Sequence, residues 1–490
     1  MQSRITVFLV LSAFLIASLF AMKNLSTWPT RLRYSGEESY EGVALAEIVR
    51  LGEGQPIYAA GASNGFDAAT YGPLYYLLGE HLVNLRTPSY FPLRMLSVIG
   101  MLGCAGCCGV IAFWIARNWL SLCLAPLAFL SYGMVTDHGI QALSDAPALA
   151  LSFFGFLVAY RFQNTRSILW SVPFAILSFY IKPQYVGASA AVFLFLLFER
   201  RWRLAAEFAG LVAGLGVILF SYFQWISFAG QSFWRHFLLY QVTLFSWGRL
   251  GMALLVFALL YILPLIFGIE FVRVYRIPLV SCYLAIAIVL GLLTYAKNAS
   301  GVHYFFETSF VLSAVITASI VKELFSRQHP LHLMIVLIIM LLAGQWSTKK
   351  SPDASDFQSH RNIQMYLRAN FPSGTVSLGA APGDLLQAGL RVPYSGLFQL
   401  TQLARRGVVS DRDLVAQIWS QRFAVILLNF DVERERDPYT LGFYLTDPAL
   451  TAVRCQYELA VNLDLPQPER QRAQDRFFAY IPRGSLKSRN

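Results

Sequence analysis

Charge is scarce in this sequence. Asp, Glu, Lys and Arg make up 14% of its 490 residues, against roughly a quarter in an ordinary soluble domain. With 56% apolar residues and a mean hydropathy of +0.50, the chain cannot cover a soluble surface of this size, which implies a polytopic membrane protein. No nucleotide-binding loop is seen, and the part beyond Trp346 shows no metal cluster or catalytic triad. No convincing internal repeat is present either, and that counts against transporter architectures built from repeated halves. Cysteine is sparse, with six in all: Cys104, Cys107 and Cys108 share one apolar run as polarizable packing residues, and Cys455 stands alone in the polar part. No disulfide framework follows. The net charge of +11 comes from Arg and Lys at the ends of apolar runs and forms no patch, so it sets orientation against a membrane and implies no nucleic-acid partner.

What is present is a series of long apolar runs, near residues 5–22, 92–116, 119–136, 141–160, 167–181, 184–198, 205–227, 250–270, 278–296, 303–321 and 331–346. About eleven transmembrane helices are expected, the shorter runs around 167–198 being tilted or re-entrant. The first follows Arg4, lacks a small-residue cleavage site and continues through Lys23, Asn24 and Leu25, so it reads as an uncleaved span. Alternate turns carry Arg117, then Arg161 and Arg166, then Arg200, Arg201 and Arg203, then Arg273 and Arg276, then Lys322 and Arg327. These place the N-terminus in the cytoplasm. An odd number of spans then puts an outer loop, residues 23–91, and the C-terminal part, residues 347–490, on the opposite side, the periplasm if the membrane is a bacterial inner membrane. The domains expected are therefore 1–346 in the membrane and 347–490 outside it.

Within the outer loop, Tyr40, Val43, Ala44, Ile48 and Leu51 lie at helical spacing before Gly52, and a second helix begins near Pro73. Both are expected to lie on the membrane surface, apolar face down. Beyond Trp346 the composition is that of a soluble domain. Helices are expected at Ile363 to Asn370, Leu385 to Gly389 and Leu414 to Arg422, and strands at Gly374 to Gly379, Phe423 to Asn429 and Arg476 to Ile481. The fold class is thus a helical polytopic membrane protein with a small C-terminal α/β domain.

Four groups of ionisable residues could carry chemistry. Glu37, Glu38 and Glu41 follow Tyr34 and Ser35 just outside the first span. Carboxylates at that level are costly unless they act as a base or hold a divalent metal, while a solvated helix start, favoured by the backbone dipole, is the simpler reading on composition alone. Asp145 begins a span ahead of Pro147, where capping and a site role both fit, with Asp137 and His138 nearby. Lys182, between two spans, either snorkels to water or meets a lipid phosphate. Lys297, His303, Tyr304 and Glu307 open a late span, and His303 and Glu307 share one helical face. The topology puts all four groups on one side of the membrane.

In order and in membrane side, the motifs GEESYEG, ATYGPLYYLLG, PLRMLSVIG, SDAPALA, YIKPQY and GVHYFFE resemble the GT-C superfamily of integral-membrane glycosyltransferases. The resemblance covers most of residues 30–320 and is to the branch with the protein O-mannosyltransferases and the lipid A aminoarabinose transferase. It implies an enzyme that moves a sugar from a polyprenyl-phosphate carrier to a glycan, lipid or protein acceptor on the outer side of the membrane. Glu37 or Glu38 would serve as base or metal ligand and Lys182 as the phosphate contact, with Tyr71, Asp145, Lys297, His303, Tyr304 and Glu307 lining the site. The family more often has Asp first in the acidic pair. Where the aminoarabinose branch has a lysine before paired prolines, this chain reads Thr70-Tyr71-Gly72-Pro73, so the same sugar is not implied. A flippase for a lipid-linked sugar, or a surface-polysaccharide polymerase or ligase, would share carrier and compartment.

Overall fold

The computed structural model describes residues 2–36, 40–59, 65–67, 69–240, 244–297, 300–325, 331–345, 351–462 and 477–485. Glu37 and Glu38 lie outside these residues. By packing, the chain divides into two units. One comprises Met1–Leu32, Arg94–Phe220 and Thr243–Ser351, and the other Arg33–Leu93, Ser221–Val242 and Pro352–Asn490. The first loop thus packs with the polar C-terminal part, although hydropathy alone divides the chain near residue 346.

In the first unit each of the eleven apolar runs contains a helix among the described residues. Five helices are long and apolar enough to cross a membrane: Phe91–Ala116, Trp202–Ser227, Trp247–Tyr275, Pro278–Tyr295 and Val302–Leu324. A sixth arises if Trp119–Leu130 and Gly133–Gly139, bent by 71°, form one broken span. Helix Val302–Leu324 is central, with 94% of an 18-residue stretch buried, whereas Trp202–Ser227 has only 11% of its stretch buried. Composition explains the contrast. The central helix presents Ser309, Ser313, Ala314, Thr317 and Ala318, all buried, and small side chains let neighbouring helices close in. The Thr317 and Ser319 hydroxyls donate to the Ser313 and Val315 carbonyls at 2.6 and 2.7 Å. Trp202–Ser227 instead turns Val217 and Ile218 outward, and Trp247–Tyr275 does the same with Leu254, Leu255 and Leu259. An apolar rim of this extent suits lipid, and the chain is a multi-pass membrane protein.

The 71° break has an identifiable chemistry. Its open backbone acceptors are the Leu130 and Ser131 carbonyls. The Asn24 amide from the first helix donates to both, at 3.3 and 2.8 Å, and the Gln345 amide donates to Ser131. Backbone groups freed inside an apolar bundle persist only with such partners.

In the second unit four strands, β1 (Ser377–Gly379), β2 (Val425–Leu428), β3 (Tyr457–Asn462) and β4 (Phe478–Pro482), form a sheet in the order β1-β2-β4-β3. β1 and β2 run parallel, with Ser377 opposite Val425, and the other pairs are antiparallel, with Ile426 opposite Tyr480. Every β2 residue is buried, as in a strand covered on both faces. Ile426 and Leu428 join Leu414, Ile418 and Tyr480 on one face, while Val425 and Leu427 join Ile363, Leu367 and Leu385 on the other.

The helix at Glu41–Gly52 requires a correction to the membrane-surface expectation. Residues Glu41 to Val49 are all buried, and helices Pro73–Leu82 and Pro382–Gln387 pack against it. It is a core helix, because its polar positions find partners inside the unit. Helix Pro73–Leu82 does leave Leu78 and Leu82 exposed.

Candidate active site

In the first unit the ends of four helical elements supply one buried polar cluster. Asp145 opens helix Asp145–Arg161, Lys182 follows helix Val172–Ile181, Gly187 opens helix Gly187–Phe198, and Glu307 lies in the first turn of Phe306–Phe325. The Lys182 ammonium donates to both Asp145 oxygens at 2.7 and 2.8 Å, and the Tyr185 hydroxyl donates to the same carboxylate. Gln184 donates to the Tyr304 hydroxyl at 3.2 Å, and the Tyr283 hydroxyl donates to Glu307 at 2.9 Å. The His303 ring lies 4.9 Å from that of His138. A Cβ on Gly187 would stand 2.6 Å from both Glu307 carboxylate oxygens, so only glycine lets that carboxylate lie against the helix.

Beside this cluster, Arg31 and Asp137 form an ion pair at 2.9 Å with both side chains about 1% exposed. Arg94 donates to the Arg31 carbonyl at 2.7 Å. A buried pair of this kind is stable only with further hydrogen bonds around it, and the Arg31 guanidinium also reaches the Asp137 carbonyl at 3.2 Å.

The structure therefore brings Asp145, Lys182, His303, Tyr304 and Glu307 into one neighbourhood and adds Tyr185, Gln184 and Tyr283, tyrosines and an amide that read as packing in the sequence. Lys297 pairs through its backbone with Phe245. Among the described residues no hydrogen bond or ion pair joins its side chain to the cluster. Tyr71 belongs to the second unit, where its N–H donates to the Tyr76 hydroxyl at 3.1 Å and its ring stacks edge-on to Tyr75.

Near Tyr71 the second unit holds two carboxyls that the sequence reading did not single out. Glu47 accepts the Ala69 N–H at 2.5 Å and a hydrogen bond from Tyr76. Asp67 pairs with Arg50 at 3.0 Å and accepts from the Ser395 hydroxyl at 3.0 Å. Burial lifts the Glu47 carboxyl to about 8, the Asp67 charge adds to the rise, and Tyr76, the Ala69 N–H and Arg50 oppose it. Burial likewise lifts Asp67 to about 7 against the pull of Arg50 and Ser395. The signal was visible: Glu47 falls on the same helical stripe as Val43, Ala44 and Ile48, where an acid is out of place unless it has a partner. Among the described residues no three His, Cys, Asp or Glu side chains group as a metal site.

The fold of this chain is similar to that of solved structures over almost its whole length. Its structural neighbours are ArnT from Cupriavidus metallidurans bound to undecaprenyl phosphate, at 11% identity and a TM-score of 0.54 over 96% of this chain and 98% of that one, and the same protein in the apo state, at 10% identity and a TM-score of 0.56 over 94% and 97%. An oligosaccharyltransferase from Archaeoglobus fulgidus, in complex with zinc and sulfate, covers 96% of this chain and 73% of its own at 12% identity, with a TM-score of 0.47 that carries no argument. No family model and no curated protein matches the chain.

Proposed function

We propose that this chain is a glycosyltransferase that takes a sugar from a polyprenyl-phosphate carrier and passes it to an acceptor on the periplasmic side of a bacterial inner membrane. The observation that carries the reading is the convergence of Asp145, Lys182, Tyr304 and Glu307, from separate parts of the chain, at one set of helix ends. Support comes from the fold, shared end to end with a protein crystallised with undecaprenyl phosphate.

The chemistry asks little of the protein. A sugar on phosphate is already activated: the acceptor oxygen bonds to the anomeric carbon, the carbon–oxygen bond to phosphate breaks, and the polyprenyl phosphate leaves with that electron pair. A base takes the acceptor's proton, and a cation steadies the departing charge. Glu37 or Glu38 is the proposed base, or the ligand of a divalent metal if one takes part. Lys182 is the proposed cation. Asp145 and Tyr185 hold its ammonium in one place, and an arriving phosphate competes with Asp145 for it.

The test is mass spectrometry of surface lipids and glycans from a deletion strain carrying wild-type, Glu37→Gln, Glu38→Gln or doubly substituted protein at equal membrane levels. A sugar-bearing product lost on deletion, restored by wild type and reduced about 10²- to 10⁴-fold in one of the single variants is expected. The same product from all three variants would reject the assignment, and labelled carrier crossing vesicles with its sugar intact would favour a flippase.

A further inference from the structure

Glu37 and Glu38 follow Gly36 directly in the chain, and the residues before and after the acidic segment are gripped by the C-terminal part of the same packing unit. On the near side the Tyr34 ring packs edge-on against Phe357 and His360, at 5.1 and 5.3 Å between centroids. The Ser35 carbonyl accepts the Gln387 amide at 3.0 Å. Gly36 lies so close to the His360 ring that an added Cβ would be 2.4 Å from its Cδ2 and 2.5 Å from its Nε2. On the far side the Tyr40 ring packs at a tilt against Phe398, 5.9 Å between centroids, and the helix that Glu41 begins is packed by Pro382–Gln387.

His360 is itself held. Its Nδ1 lies 3.0 and 2.8 Å from the two oxygens of Asp384, which is 0% exposed. A carboxylate there requires the proton on Nδ1, so the tautomer and the ring orientation are set and Nε2 is the nitrogen turned to Gly36. Gln364 ties the arrangement together, donating to Asp384 at 3.3 Å and to Gln387 at 3.1 Å. The packing of Tyr34, Gly36 and His360 would survive a neutral apolar ring at 360. A buried Asp384 aimed at that ring, with Gln364 bridging to the residue that holds Ser35, is more than packing needs.

We propose that Asp384 and His360 are a positioning pair for Ser35 and Gly36, the residues that lead directly into Glu37 and Glu38 in the chain. Asp384 fixes the imidazole, and the imidazole and Gln387 hold Ser35 and Gly36. The C-terminal part is then a piece of the transfer machinery, with a role distinct from selecting the acceptor. The proposal rests on the reading of Glu37 and Glu38 given above for its consequence in transfer. The placement itself is independent of that reading.

The experiment compares wild type with His360→Ala, His360→Gln, Asp384→Asn and, as a control on the exposed face of the same helix, Met365→Ala. In purified detergent-solubilised protein, hydrogen exchange is followed on peptides spanning residues 33–45, together with binding of undecaprenyl phosphate alone. In cells, the product defined by the deletion strain is measured at matched protein levels. Faster exchange at 34–41 and a roughly 10- to 100-fold drop in product are expected for His360→Ala and Asp384→Asn, with partial rescue by His360→Gln, whose amide reaches towards the Nε2 position. Carrier binding and the Met365→Ala protein should match wild type. Unchanged exchange at 34–41 overturns the proposal, as does altered exchange with undiminished product from an active wild-type protein. If wild type makes no sugar-bearing product while exchange responds as expected, the transferase reading fails and the placement stands.

Discussion

Two regions bury carboxylates by opposite means. In the membrane unit Asp145 gives both oxygens to the Lys182 ammonium and takes a hydroxyl from Tyr185, so charge is buried as a closed pair. In the second unit Glu47 meets neutral donors, the Ala69 N–H and the Tyr76 hydroxyl, while the nearby cation, Arg50, is committed to Asp67 at 3.0 Å. Burial then shifts Glu47 to about 8, and the group stays protonated at neutral pH. The two carboxylates differ in their partners: Asp145 has an ammonium to itself, whereas the guanidinium near Glu47 is committed to Asp67, which burial also lifts, to about 7.

The comparison breaks most sharply at Lys182. Lys182→Met leaves Asp145 buried without a cation, for which about 3–5 kcal/mol is typical. Loss of folded protein in membranes is expected, read by thermal unfolding in detergent, with the double change Lys182→Met and Asp145→Asn recovering much of it. A double variant no better than the single would show that the two residues do not act as a pair. A smaller effect is expected at Gly187→Ala, whose Cβ would press on both Glu307 oxygens at 2.6 Å. Overpacking of this kind costs about 1–3 kcal/mol, visible as a lowered unfolding temperature that Glu307→Ala partly restores.

The smallest effect at neutral pH, and the one that tests the protonated side of the comparison, is Glu47→Gln. Because the folded-state affinity is raised from 4.5 to about 8, native Glu47 binds more protons than unfolded Glu47 between those values. Its presence therefore costs stability progressively as pH rises from about 4.5 through 8. Glu47→Gln should flatten the fall in unfolding temperature between pH 6 and 9 and match or exceed wild type at the upper end. A variant with the wild-type slope would mean that Glu47 is ionised in the fold. Asp67, Arg50, Tyr76 and Tyr58 face it and set the remaining slope.

Much of the architecture was legible because apolar length is a strong signal. Each run predicted as a span holds a helix, and the run FAVILLN contains the buried strand β2. Asp145, Lys182 and Glu307 were picked out individually, because ionisable groups at helix ends in apolar surroundings are conspicuous. That Lys182 contacts Asp145, 37 positions away, was not visible, since pairing across helices leaves no trace in spacing. Glu47 was passed over because five apolar neighbours made its helix look like a membrane-surface amphipath, when the acid on the stripe was the informative residue. Tyr457–Asn462 was missed as a strand: its Leu459 is exposed, and of its apolar residues only Tyr457 is fully buried in the core.

The bend between Leu130 and Gly133 has a consequence for the order in which the protein is made. Its carbonyls take hydrogen bonds from Asn24 and from Gln345, residues at opposite extremes of the membrane unit. During synthesis the first donor is present long before the kink emerges, while the second arrives only when almost all of the membrane unit has been inserted. Until then Asn24 supplies the side-chain donors to the bend, and a chain truncated before Gln345 would lack the second one.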